Sequence, residues 1–230
     1  LNSGFGKVGV IIVAAGTSKR MAGINKLFVS LGEKPLLAWS VDFCQKCDLI
    51  WQTVLVLNDK HLARGQRLKK ERSWFKVTLC PGGARRQDSV QGGLEKMDDC
   101  DWVIIHDGAR PFLTRNLIED GLKIAEESGA AVAAVPVKDT IKLSTDGRMV
   151  RETLPRDMLW AAQTPQIFSF DMILRAYENL TAEVTDDAAA VECLGYKVQL
   201  YMGDFRNIKV TTPEDLALAR IIAGEWKERH

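Results

Sequence analysis

The chain has 230 residues, 46% of them hydrophobic and 27% charged, with a formal net charge of +1. This is the balance of a soluble globular protein with one sizeable core, and it excludes a disordered chain. Near-zero charge also excludes a broadly basic surface, so no nucleic-acid partner is expected and any strong anion site must be local.

The first element is "VGVIIVAA", residues 8–15, a continuous apolar run read as the first core strand and not as a signal peptide. No apolar run reaches the roughly 18 to 20 residues of a membrane helix, so no membrane partner is expected and the protein is read as cytoplasmic. Pro35 opens a helical pattern in which Leu37, Val41 and Cys44 share a face. Cys44 and Cys47 form a CxxC inside that pattern, but no second CxxC or paired histidines follow. The five scattered cysteines therefore read as small buried hydrophobes of a reducing compartment, not as metal ligands.

Further strands are expected at "QTVLVLN" (52–58), "KVTLC" (76–80), "WVIIHD" (102–107), "AAVAAVPV" (130–137) and "KVQLYM" (197–202). Helical spacing falls between them, as in Thr114, Leu117, Ile118, Leu122 and Ala125. "TTPEDL" is a well-made helix start, with a threonine cap, Pro213 at the first helical position and acids in the first turn. Strands apolar throughout need helices on both faces, which predicts a three-layer α/β fold with a mostly parallel sheet. A single domain over residues 1–230 is expected, with ligands beyond the carboxyl ends of the strands, at the loops after residues 15, 80, 107 and 137. The stretch 138–168 breaks the rhythm. "TIKLS" and "RMVRETL" around "TDG" read as a hairpin, and residues 138–160 are expected to form a β-arm that packs on the same arm of a second subunit. The alternative is a hairpin folded back over its own sheet.

Four loops carry candidate chemistry. After Ala14, Ala15 and Gly16, whose small side chains admit a ligand to the backbone, Lys19, Arg20 and Lys26 supply three cations. Neither the Walker pattern nor the dinucleotide fingerprint is present. The loop is either a polyphosphate receptor or an ordinary connection with surface lysines. "CPGGARRQDSV" offers Gly82 and Gly83 for close packing on a planar ligand, a helix starting near Arg85, and the Ser89 hydroxyl. "VIIHDGARPF" leaves Asp107 at a strand end, suited either to holding Mg²⁺ against phosphates or to capping a turn; His106 is read as structural. In "FRNIKVTTPEDLALA", Lys209 is the residue expected to touch a substrate.

Together "AAGTSKRM", Lys26, "GGARRQDSV", "HDGARPF", "DTIK", "TPQIF", "TDDAAAVE" and "NIKVTTPEDL" resemble, in order from about residue 8 to residue 222, the 2-C-methyl-D-erythritol 4-phosphate cytidylyltransferase family of non-mevalonate isoprenoid synthesis. The resemblance implies a Rossmann-like, GT-A-like nucleotidyltransferase fold, a homodimer joined through the β-arm, and transfer of a cytidylyl group from CTP to methylerythritol phosphate with Mg²⁺. It also implies a catalytic set of Arg20, Lys26, Arg156 and Lys209, the first two stabilising the transition state at the α-phosphate. Ala14, Ala15, Gly16, Lys19, Gly82, Gly83 and Ser89 would bind the nucleotide. Asp107 would sit near metal and acceptor hydroxyls, and Thr140, Thr164 and Thr185 would join Arg156 and Lys209 around the acceptor, Thr140 and Arg156 from the neighbouring subunit. The chain departs from the family pattern at Ser18, Asn25 and Arg206. A ribitol 5-phosphate cytidylyltransferase and a non-catalytic nucleotide-binding module are the rival readings, and the missing GxGxxG disfavours a dehydrogenase.

Overall fold

The computed structural model describes residues 4–16 and 25–229. In chain order the elements are β1 (Val8–Ala14), β2 (Ser30–Leu31), β3 (Lys34–Pro35), α1 (Leu36–Lys46), β4 (Ile50–Leu57), α2 (Asp59–Glu71), β5 (Val77–Pro81), α3 (Arg86–Glu95) and β6 (Trp102–Asp107). There follow α4 (Arg115–Ser128), β7 (Ala130–Pro136), β8 (Lys142–Leu143), β9 (Glu152–Thr153), β10 (Trp160–Ser169), α5 (Phe170–Glu178), α6 (Asp187–Glu192), β11 (Gln199–Met202) and α7 (Pro213–Arg229). Among the described residues the main sheet has seven strands, ordered β11-β7-β10-β6-β1-β4-β5. β1 pairs in parallel with β4 and β6, β4 with β5, and β7 with β11.

The apolar runs of β1, β4, β6 and β7 are continuous because both faces of these strands are covered, whereas β11 at the sheet edge leaves Leu200 and Met202 exposed. On β1, Val10 and Ile12 pack with Leu37 and Val41 of α1, while Ile11 between them packs with Val90 and Leu94 of α3; all seven are buried. Burying each such side chain stabilises by roughly 1.5–3 kcal/mol. Helix starts follow local chemistry: Thr114 accepts from the Leu117 amide, Asn58 from that of Lys60, and Asp186 from that of Ala189. Gly129 ends α4 at φ +78°, a left-handed turn that feeds β7.

One main-sheet strand escapes sequence reasoning. β10 lies between β6 and β7 and is antiparallel to both. Its register shifts between Ala162 and Gln166, where Gln163, Thr164 and Pro165 intervene. Pro165 lacks a donor and belongs where a ladder is interrupted, and Gln163, Thr164 and Gln166 are buried although polar, so neither alternation nor apolar continuity marks the strand. The arm does form a hairpin: β8 and β9 pair antiparallel over two residues each, and the Asp146 side chain accepts from the amides of Arg148 and Met149 to make the turn. The Val137 amide donates to Leu159 O across the arm's base. Cys44, Cys47, Cys80 and Cys100 are buried and Cys193 is exposed. Among the described residues no helix is long and apolar enough to cross a membrane.

Candidate active site

The parallel strands β1, β4, β5 and β6 end on one edge of the sheet, and a cavity of about 460 Å³ opens there. Ala14, Ala15, Gly16, Lys26, Gly83, Ser89, Asp107 and Lys209 all line it. Gly82 lies directly behind: a Cβ there would run into the Ala15 methyl and stand 3.0 Å from Ser89 Oγ. Ser89 Oγ accepts from the Gly83 amide (3.1 Å) and donates to Arg85 O (3.1 Å), so the hydroxyl braces its own loop and keeps only acceptor capacity for a ligand. Lys26 begins a 3₁₀ turn, Lys26–Phe28, whose start is capped by Asn25 Oδ1 accepting from the Leu27 amide.

Asp107 is the electrostatic centre. Lys209 Nζ stands 2.7 Å from its Oδ2, Arg110 Nε 3.7 Å from the same oxygen, and Arg86 Nε 3.6 Å from Oδ1. Burial alone would raise the pKa of this carboxyl; Lys209, then Arg86 and Arg110, outweigh it and hold the value at about 2. Hydrogen bonds to backbone carbonyls deliver these cations. The Val210 amide donates to Ala109 O, Arg110 Nη1 donates to Asn207 O at 2.6 Å, and the buried Asn207 donates to Thr164 O at 2.8 Å. The "NIKV" segment is thereby stitched to the "HDGAR" loop, which fixes the stem of Lys209 over Asp107.

Thr164 sits behind the carboxylate, outside the cavity lining. Its Oγ1 accepts from the Asp107 amide (3.0 Å) and is 3.2 Å from His106 Nδ1, while His106 Nε2 meets Arg110 O at 2.9 Å. With Nε2 donating to that carbonyl, Nδ1 receives the threonine hydroxyl, and the chain of bonds is complete with a neutral imidazole. Desolvation pushes the His106 pKa down to about 4, in keeping with that state. The reading of His106 as structural agrees with this geometry.

Thr140 and Arg156, at the arm, and Thr185 are exposed and outside the cavity lining; Arg156 Nη1 donates to Lys138 O at 2.9 Å. Lys19 and Arg20, with Ser18, lie outside the described residues. Arg206 pairs with Asp204 at 3.1 Å and faces the Trp226 ring, so this departure from the family pattern points away from the cavity.

The family model for 2-C-methyl-D-erythritol 4-phosphate cytidylyltransferase matches residues 8–225. The chain belongs to this family. It is similar to the 2-C-methyl-D-erythritol 4-phosphate cytidylyltransferases of Dehalococcoides mccartyi strain 195, 46% identical over 94% of this chain and 96% of that protein, and of Alkaliphilus oremlandii, 44% identical over 96% and 97%. Among solved structures it resembles the 4-diphosphocytidyl-2C-methyl-D-erythritol synthase of Anaerococcus prevotii, with a TM-score of 0.84, 27% identity and coverage of 96% and 97%. The cytidylyltransferase of Thermus thermophilus gives a TM-score of 0.77 at 31% identity over 95% of this chain and 99% of that one.

In this cytidylyltransferase family member, sequence reasoning overlooked Asn58, Arg86 and Arg110. Asn58 and Arg86 line the cavity, and Arg110 is a buried guanidinium whose Nε has no hydrogen-bond partner among the described residues. The signal for Arg86 was an unclaimed acid elsewhere: Asp187 of "TDDAAAVE" is fully buried and needs a cation, and Arg86 supplies it at 2.7 Å. As for a metal, no three His, Cys, Asp or Glu side chains converge among the described residues. Asp107 is the one carboxylate among the described lining residues. That donor set fits Mg²⁺ only where most ligands are phosphate oxygens.

Proposed function

We infer that the chain transfers a cytidylyl group from CTP to 2-C-methyl-D-erythritol 4-phosphate, giving 4-diphosphocytidyl-2-C-methyl-D-erythritol and pyrophosphate in non-mevalonate isoprenoid synthesis. The observation that carries this is the family match over residues 8–225, in a chain whose strand-end cavity joins a glycine wall to lysine and arginine cations. A phosphate oxygen of the acceptor forms the new bond to the α-phosphorus of CTP while the bond to pyrophosphate breaks. A phosphate monoester is nearly a dianion at neutral pH, so no side chain need remove a proton from it. The task left to the protein is to align two polyanions and offset their charge.

In this reading Ala14, Ala15, Gly16, Gly82, Gly83 and Ser89 pack against the nucleotide, with Lys19, Arg20 and Lys26 at its phosphates. Lys209 and Asp107 face the acceptor. Mg²⁺ belongs to the proposal as an ion that arrives with the nucleotide. Phosphate oxygens and Asp107 would hold it, and when bound it would offset triphosphate charge. A homodimer through residues 138–160 is proposed on the strength of the exposed apolar side chains Leu143, Met149, Val150, Met158 and Trp160. In that dimer Thr140 and Arg156 reach the neighbouring acceptor site and Thr185 completes the acceptor surroundings from within the chain, while Thr164, expected there too, serves by fixing Asp107 from behind. A cytoplasmic location is proposed from the reaction and from the five free cysteines.

The decisive experiment is pyrophosphate release with each nucleoside triphosphate against methylerythritol 4-phosphate and ribitol 5-phosphate. Release with CTP and the first acceptor is expected; release with ribitol 5-phosphate alone overturns the reading. Two further outcomes follow from geometry. Gly82→Ala puts a methyl against Ala15 and Ser89, an overpacking of about 1–3 kcal/mol. It should raise the KM for CTP about tenfold, with acceptor KM little changed, as separate substrate titrations would reveal. With Asp107 held at about 2, the carboxylate stays ionised through the working range. Below about pH 6 the acceptor phosphate itself gains a proton. The acid limb of kcat/KM for the acceptor should therefore bend near pH 6, and a bend moved by Asp107→Asn would refute that assignment.

A further inference from the structure

We propose that Arg86 is, beside Lys209, a second acceptor-side cation from within the chain, which binds the phosphate of the polyol phosphate, and that Asp187 and Tyr177 are the positioning residues that hold it there. The inference rests on the cytidylyl-transfer reading and deepens it.

"GGARRQDSV" carries two adjacent arginines that both line the cavity but are held by different partners. Arg85 is the N-cap of α3 and its guanidinium is taken up by Asp88, a solvent-exposed contact within one turn that leaves it loosely held. Arg86, one residue on, lines the cavity and reaches across to α6, where its Nη2 donates to Asp187 Oδ2 at 2.7 Å. Asp187 is fully buried and cannot swing away. Its other oxygen accepts from the Tyr177 hydroxyl at 2.6 Å, and its amide donates to Gln166 Oε1 at 3.2 Å. Gln166 in turn donates from Nε2 to Asp186, the cap of α6. A guanidinium has five N–H donors in a fixed fork; Asp187 takes one of them and sets the plane of the rest.

The position relative to Asp107 selects the ligand. Arg86 faces Oδ1 of that carboxylate and Lys209 faces Oδ2. A phosphate that engages Lys209 across Asp107 is thus within the reach of the Arg86 fork. The charges also fit. Arg86, Arg110 and Lys209 bring three positive charges against two negative ones from Asp107 and Asp187, a surplus suited to a phosphate monoester dianion. A plain structural tie between α3 and α6 would require neither a cavity-lining arginine nor a second carboxylate beside it.

The test is steady-state pyrophosphate release by the full chain, with methylerythritol 4-phosphate varied at saturating CTP and CTP varied at saturating acceptor. Wild type comes first: absence of release overturns the reaction itself, separately from the role of Arg86. With wild type active, Arg86→Ala should raise the acceptor KM about 10- to 100-fold, the range for a charged hydrogen bond, with the KM for CTP within about threefold. Arg86→Lys keeps a charge beside Asp187, which guards the fold, yet one ammonium cannot bridge both carboxylates; its acceptor KM should still rise about tenfold. Asp187→Asn and the milder Tyr177→Phe should move that same KM in the same direction by about tenfold and about threefold. An unchanged acceptor KM in both Arg86 variants, or a rise in the KM for CTP alone, overturns the assignment of Arg86. Lower melting temperatures for the Asp187 and Tyr177 variants without any shift in acceptor KM overturn their positioning role.

Discussion

Replacing Lys26 by alanine lowers turnover about 10²- to 10³-fold, the usual cost of losing a donor aimed at developing charge, with the KM for CTP changed only a few-fold. The reason lies in how the lysine is mounted. Asn25 caps the 3₁₀ turn from one side, and on the other Leu27 and Phe28 are buried, the Phe28 ring 5.2 Å from that of His61 and under the Arg64 guanidinium at 4.3 Å. The stem of Lys26 therefore starts from fixed backbone at the cavity wall, which limits the region its charge can sample. A charge felt mainly as the α-phosphorus is attacked affects kcat more than binding. Single-turnover measurements separate the two, and an alanine variant with near-normal turnover would remove Lys26 from the catalytic set.

Asp107→Asn should destabilise the protein by about 3 kcal/mol, the lower end for stranding a buried partner charge. For a chain of this size that corresponds to a fall in melting temperature of about 6 to 12 °C. Arg110 is the group left stranded, since only a tenth of its side chain is exposed, whereas Lys209 at 43% exposure can turn to water. The sign can be checked against pH. A carboxyl depressed to about 2 contributes stability above its unfolded value near 4, and that contribution is lost as pH falls through 2. The gap between wild type and variant should thus be full at neutral pH and close between about pH 4 and pH 2. Thermal melts across that range decide the matter, and a gap independent of pH would mean that the side chain acts through packing alone.

The sequence is most legible where one physical signal dominates. β1, β4, β5, β6 and β7 are apolar runs and stand within two residues of where pattern reading puts them, and the Thr114 and Thr212 helix starts follow cap chemistry. β10 is illegible for an equally physical reason, because its central residues are buried by hydrogen bonding and not by apolarity: Gln166 serves the α6 amides and Gln163 meets Asn207. The site divides in the same way. Small residues and glycines at strand ends, Lys26, Asp107 and Lys209 are visible as motifs, and the fold gathers them around one cavity. Arg86 and Arg110 are hidden in plain view, since an arginine beside another arginine, or beside a proline, reads as surface until a buried acid shows which way it faces. Thr164 is legible as a motif residue, but its hydroxyl is taken up by Asp107 and His106.

The closed base of the arm carries a consequence for descent. Because Val137 and Leu159 are joined by a hydrogen bond and Pro136 lies opposite Trp160, the polypeptide leaves the sheet and re-enters it at adjacent points. Everything between is an excursion whose length the β7–β10 register does not record. Insertions and deletions can accumulate around the hairpin turn at Asp146 while the sheet keeps its register, so lineages can remodel the tip of the arm without displacing Thr140 and Arg156 near its base.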